Sequence, residues 1–217
     1  MNVLFIGNSY TYCNDMPKLF EQLANSNGKN ITVHSVTEGG RRLRDYADDK
    51  DPITVMLDAL LFEQKFDICF IQEQSILPAA DFDRFIGGLD CVVKKLKNRA
   101  ERLILYATWG RKDGSEILTE HNWTTESMNH ILSDAYQRGS ELYGTEVSGV
   151  GNSFLYVTQN YPEINLYHED LSHPSYQGSC LAALTHYYVA FNEFPSQTDA
   201  LSLSDAELSA FKSAILQ

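Results

Sequence analysis

Short apolar, β-rich runs alternate along this chain with segments of helical periodicity, and that alternation leaves few architectures open. The strand candidates are NVLFIG from residue 2, ITVHSV from 31, FDICFIQ from 66, RLILYAT from 102 and, more weakly, TEVSGVG from 145. Between them, Met16, Leu19, Phe20 and Leu23 recur at helical spacing, as do Phe82, Phe85, Ile86, Leu89, Val93 and Leu96. Asp15 as N-cap with Pro17 in the first turn is a start signal for the first of these helices. Further helices are predicted at about 52 to 64, 125 to 141, 177 to 192 and 205 to 216. Strands separated by helices pair in parallel through right-handed crossovers, which predicts an α/β fold, a three-layer α/β/α sandwich of about five parallel strands. At 217 residues, one domain spanning 1–217 is expected.

Composition removes several classes of function. Lys and Arg number 17 against 29 Asp and Glu, a net charge of −12, and the one basic cluster is Arg41, Arg42 and Arg44. A nucleic-acid or anionic-membrane partner is therefore disfavoured, and no stretch approaches the roughly 20 apolar residues of a membrane span. Cys13, Cys69, Cys91 and Cys180 are scattered without metal or disulfide spacing and read as reduced thiols. The N-terminus opens directly on strand-like sequence without a basic region or an export-length apolar run, so a cytoplasmic location is expected. Oligomeric state is left open.

In a parallel sheet, ligands sit beyond the carboxyl ends of the strands. The residues following each strand are Gly7-Asn8-Ser9, Glu38-Gly39-Gly40, Gln72-Glu73-Gln74-Ser75, Thr108-Trp109-Gly110 and Gly151-Asn152; YHEDLSHPSYQGS then brings Asp170 and His173 together before a helix. Pro174 biases His173 toward extended backbone, ahead of that helix. Acyl transfer to water needs a nucleophile, a base, a group that orients the base, and donors for the oxyanion. Ser9, His173 and Asp170 fill the first three roles, and the backbone N–H groups of Ser9 and Gly40 supply part of the fourth. Each piece also has an ordinary reading: a serine after a strand caps a helix, Gly39-Gly40 makes a turn, and D-x-x-H recurs by chance. His121, His130 and His168 are too dispersed to form a metal-ligand pattern. The irregular segment from Thr108 to Thr125, which carries both tryptophans, is expected to shape the pocket.

These residues resemble the SGNH hydrolases, the GDSL-like esterase and lipase superfamily, over essentially the whole chain. GNS resembles the first block with Ser9 as nucleophile, TEGG the glycine block with Gly40 as oxyanion donor, and DLSHPS the final block with Asp170 and His173. The third block departs from the family pattern G-x-N-D and reads QEQS; Gln74 takes the asparagine's position, with Gln72 as the alternative donor. A glutamine here, together with TWG, is similar to carbohydrate-deacetylating relatives. The resemblance implies a flavodoxin-like strand order 2-1-3-4-5 and cofactor-free hydrolysis of acetyl or other short acyl esters, with a carbohydrate-like alcohol. Trp109, with Trp123, is read as an aromatic wall for a sugar ring, the alternative being plain packing of a long loop. The competing readings are a non-catalytic module holding a phosphate, a flavin or a carbohydrate, and a degenerate, inactive esterase.

Overall fold

The computed structural model describes residues 1–217. Five parallel strands form one sheet: β1 (Asn2–Gly7), β2 (Thr32–Thr37), β3 (Phe66–Ile71), β4 (Ala100–Tyr106) and β5 (Glu146–Ser148), in the order β2-β1-β3-β4-β5. The register runs Val3 against Val33 on one side of β1 and against Ile68 on the other. Central strands β1 and β3 are apolar on both faces because helices cover both. Val3, Phe5, Ile68 and Phe70 face a core with Phe20, Leu184 and Phe211. Leu4, Ile6, Cys69 and Ile71 face a second core with Leu57, Phe85 and Leu89. The period of two along each strand thus divides its side chains between two cores.

The helices that supply these cores are α2 (Met16–Ser26), α3 (Pro52–Glu63), α5 (Phe82–Leu96), α7 (Thr125–Tyr143), α8 (Val150–Asn160), α9 (Tyr176–Phe191) and α10 (Asp205–Ile215); α1 (Ser9–Tyr12), α4 (Leu77–Ala80) and α6 (Glu116–Glu120) are single turns. No helix is long and apolar enough to cross a membrane.

Two local expectations change. Asp15 does occupy the N-cap position of α2, but it sits in the left-handed region at φ 56° and its side chain makes no capping bond. TEVSGVG is not one strand: β5 stops at Ser148, and α8 starts two residues later. Gly151 marks this turn into helix, because a Cβ there would lie 2.3 Å from the Thr108 carbonyl oxygen. The strand order reverses between β1 and β3, and the crevice beyond that switch point is where such sheets bind ligands.

Candidate active site

The sequence after β1 turns sharply into α1. Gly7 is required there: a Cβ would lie 2.4 Å from Thr11 Oγ1 and 2.5 Å from Gln72 Oε1. Asn8 caps α1 by accepting from the Tyr10 N–H at 3.1 Å, and its own N–H donates to Gln72 Oε1 at 2.9 Å. Its side-chain amide donates to the Arg41 carbonyl at 2.9 Å, which joins the nucleophile turn to the glycine loop. Ser9 is the first residue of α1, so its N–H has no acceptor within the turn.

Ser9 Oγ lies 2.8 Å from His173 Nε2, across 164 residues of sequence. His173 Nδ1 lies 2.5 Å from Asp170 Oδ2. Asp170 Oδ1 accepts from the backbone N–H groups of Ser172 at 3.0 Å and His173 at 2.9 Å. Burial pushes the Asp170 carboxyl up, but the His173 side chain and these two N–H groups outweigh it, and the net shift is downward. The carboxylate is therefore charged where it faces the imidazole. The tight Asp170-to-His173 turn places Leu171 at φ 59°, a conformation costly for a side chain with a Cβ and found where a site over-determines its backbone.

Bonds from Lys112, Trp109 and Asn14 hold this turn against the rest of the fold. The Lys112 N–H donates to the Leu171 carbonyl at 2.9 Å, and Trp109 Nε1 donates to the Ser172 carbonyl at 3.1 Å. Asn14, following α1, reaches the Pro174 carbonyl at 3.1 Å and Ser179 Oγ at 2.9 Å. The nucleophile turn and the histidine turn are thus fastened by bonds that bypass the reacting atoms.

Gly40 lies at φ 69°, in the left-handed region that favours glycine, and its N–H donates to no protein acceptor. The loop is pinned by the buried Arg41, which pairs with Asp51, with Glu38 at 2.9 Å, and lies 4.3 Å over the Tyr46 ring. The two glutamines of QEQS divide their work. Gln72 is buried; its Oε1 takes the Asn8 N–H and Thr11 Oγ1, and its amide nitrogen donates to the Glu73 carbonyl. Gln74 caps the following turn through Oε1, accepting from Ile76 and Leu77, and its amide nitrogen has no protein acceptor. Gln74, not Gln72, lines the cleft with Ser9, Gly40 and His173.

Trp109 corrects the expectation of a substrate wall. It is fully buried, stacked between Tyr10 at 4.7 Å and Phe154 at 4.0 Å, and its indole N–H holds the histidine turn from below. Trp123 stacks on His121 at 4.2 Å, away from the cleft. Three residues not anticipated as part of the site bear on it. Glu73, fully buried, accepts through Oε1 from the N–H groups of Leu43 at 3.0 Å and Gln74 at 2.6 Å, tying the glycine loop to the third block. Tyr10 forms the cleft floor and bonds Ser172 Oγ at 2.8 Å. Arg111 enters from the Thr108–Thr125 segment, the region already marked by its irregular sequence.

The cleft has a volume of about 340 Å³, and of its ten lining residues only Tyr10 is hydrophobic. Larger depressions of about 530 and 680 Å³ lie elsewhere, but neither brings a hydroxyl within hydrogen-bonding distance of an imidazole. Size therefore does not mark the site; chemistry does. Another imidazole bonded to a hydroxyl, His186, is buried in the core with Nδ1 2.8 Å from Ser148 Oγ, and burial holds it down at about 3, neutral and away from the cleft.

No family model matches the sequence, and no curated protein matches it significantly. Solved structures do. A protein of Slackia heliotrinireducens assigned to the SGNH hydrolases is 25% identical, with a TM-score of 0.77 over 88% of this chain and 98% of its own. The fold, the order of the sequence blocks and this similarity place the chain in the SGNH, or GDSL-like, superfamily of hydrolases. A DUF4886-family protein of Bacteroides uniformis shares the fold at 17% identity, with a TM-score of 0.84 over 99% of this chain and 93% of its own. So does Axe2, an acetylxylan esterase of Geobacillus stearothermophilus, at 14% identity and a TM-score of 0.63 over 94% of each chain.

Proposed function

We propose that the protein is a serine esterase that removes acetyl or another short acyl group from a polar, carbohydrate-like alcohol. The observation that carries this reading is the continuous line of contacts from Ser9 Oγ through the His173 ring to Asp170, opening on a cleft with unpartnered donors.

In this reading His173 Nε2 takes the Ser9 proton as Oγ attacks the ester carbonyl. Asp170 fixes the Nδ1–H tautomer and stabilises the imidazolium that forms. The developing oxyanion is met by the N–H groups of Ser9 and Gly40 and the Gln74 amide, all free of protein acceptors. His173 then passes the proton to the leaving alcohol, and water, deprotonated by the same imidazole, hydrolyses the acyl-Ser9 intermediate. The lining supports the choice of substrate. A long acyl chain needs apolar walls, and a cleft with one hydrophobic residue offers none. Neighbours such as Axe2 act on acetylated xylan, and they support a sugar alcohol here by analogy alone.

The test is hydrolysis of p-nitrophenyl acetate by the wild type and by Ser9→Ala, with fluorophosphonate labelling of the wild type. The expected result is labelling at Ser9 and a fall in kcat of about 10⁴ or more. Equal rates, or an enzyme that resists the label, would remove Ser9 as nucleophile.

A further inference from the structure

Arg111 is the cleft's one guanidinium, and it is held in place without a counter-charge. Its backbone is fixed on both sides. Gly110 packs so closely under Thr125 that a Cβ would lie 2.3 Å from the Thr125 carbonyl oxygen. The Gly110 carbonyl accepts from Tyr167 Oη at 2.9 Å, and the Arg111 carbonyl accepts from Thr125 Oγ1 at 2.7 Å. The guanidinium lies 5.7 Å from the centre of the Tyr10 ring, and the His173 ring lies 5.4 Å from the same centre, so Arg111 and the proposed base flank one aromatic ring.

The guanidinium has one hydrogen-bond acceptor in the protein, Ser75 Oγ, 2.9 Å from Nη2. Its Nε is buried and bonds nothing. No carboxylate lies within 4.0 Å of it, although the chain carries 29 acidic residues and pairs Arg41, Arg42, Arg84, Arg102 and Arg138 with them. Leaving a buried guanidinium N–H unbonded is costly. Asp170, the one acidic side chain of the cleft, is engaged with His173. A pinned arginine with open donors, facing a polar cleft in an otherwise acidic protein, is suited to an anion that arrives with the substrate.

Resting on the esterase reading above, we propose that Arg111 binds a carboxylate on the substrate, so that the preferred substrate is an O-acylated sugar acid. A guanidinium presents a planar fork that a carboxylate matches. A doubly charged phosphate is disfavoured, because Asp170 and the net charge of −12 act against it. Ser9 and Arg111 line the same cleft of about 340 Å³, so the acyl group and the carboxylate of one small sugar acid would be met within it.

The experiment compares two mono-O-acetylated substrates with the acetyl at the same position, methyl glucuronoside and methyl glucoside, in the wild type, Arg111→Gln and Arg111→Lys. The wild type is expected to favour the acid in kcat/KM by roughly tenfold to a hundredfold, the scale of a charge-assisted hydrogen bond. That ratio is expected to fall to about one or below in Arg111→Gln and to recover in part in Arg111→Lys. A wild-type ratio near one, or a preference that survives Arg111→Gln, overturns the assignment while Ser9-dependent hydrolysis leaves the esterase reading standing. Should neither ester be hydrolysed, calorimetric binding of unacetylated methyl glucuronoside still decides. Binding by the wild type and not by Arg111→Gln supports Arg111 as a carboxylate site; equal binding, or none, refutes it.

Discussion

Raising the pH from 5 to 8 is expected to weaken the wild type relative to Glu73→Gln. Glu73 has no exposure to solvent; its Oε1 takes two backbone N–H groups, and its Oε2 is buried with no partner. Burial lifts its carboxyl from 4.5 to about 7; the N–H groups of Gln74 and Leu43 offset this only in part, and Asp45 adds slightly to the rise. The sign follows from linkage. Between pH 4.5 and about 7 the unfolded chain has released this proton while the folded chain still holds it. The contribution to stability is thus complete below the unfolded value and is lost as pH rises through the folded one. Above about 7 the buried charge costs the fold about 3 kcal/mol, an order-of-magnitude figure from the size of the shift.

Glutamine is a close mimic of the neutral acid: its Oε1 keeps both backbone bonds, and its amide replaces the unpartnered Oε2. That replacement adds an offset in stability that does not depend on pH. The informative quantity is therefore the change with pH of the difference in Tm between variant and wild type, in which the other titrating groups cancel. For a chain of this size about 3 kcal/mol corresponds to roughly 6–12 °C, so the difference is expected to move in favour of Glu73→Gln by several degrees between pH 5 and 8. Thermal unfolding followed by circular dichroism at about seven pH values between 5 and 8 measures it. A difference that stays constant across the range would mean that Glu73 is ionised in the fold throughout, and the burial argument would fail.

Two further substitutions address the proposed chemistry. Asp170→Asn keeps the shape of the histidine turn but removes the charge facing His173 Nδ1, so kcat is expected to fall by about 10³–10⁴ with little change in KM; near wild-type turnover would deny Asp170 its orienting role. Gln74→Glu keeps the Oε1 that caps the turn at Ile76 and Leu77 but replaces the free amide by a carboxylate, so kcat is expected to drop by about 10²–10³ or more at unchanged Tm. Wild-type turnover in this variant would exclude Gln74 from the oxyanion site.

What could be read in the sequence followed from topology. Once strands and helices alternate, every strand of the parallel sheet ends on the same edge, so polar residues after separate strands must gather there whatever their distance along the chain. That is why Gly40 and Gln74 fall beside Ser9, whereas His173 follows no strand but sits between α8 and α9, and only the D-x-x-H block marks it in the sequence as the partner of Ser9. Burial is a different matter. Trp109 in a glycine-containing loop reads like Trp123 in the same loop, yet one is sandwiched between Tyr10 and Phe154 and the other is on a small outer cluster. Contacts with α1, α8 and the histidine turn distinguish them, and α8 is hard to see in sequence, because its VGNSFLYV opening continues the β-branched character of β5.

Gln72 and Gln74 were equivalent as residue types; they separate because Gly7 lets the backbone of β1 approach Gln72 and consume its carbonyl oxygen. The same logic explains why Glu73 and Arg111 went unnoticed as charges. A carboxyl next to two amides and an arginine next to a lysine look like solvated polar sequence. Their properties come from neighbours contributed by other segments: Leu43 and Tyr136 around the first, Ser75 and Tyr10 around the second. Strand ends fix which groups meet, but only packing decides whether a charge there finds a partner. Behind the cleft, Glu73 lacks one and is held neutral by burial near pH 7 or below, whereas the arginine in the cleft has no neutral form to retreat to. The unmet donors of Arg111 therefore call for an anion from outside the chain.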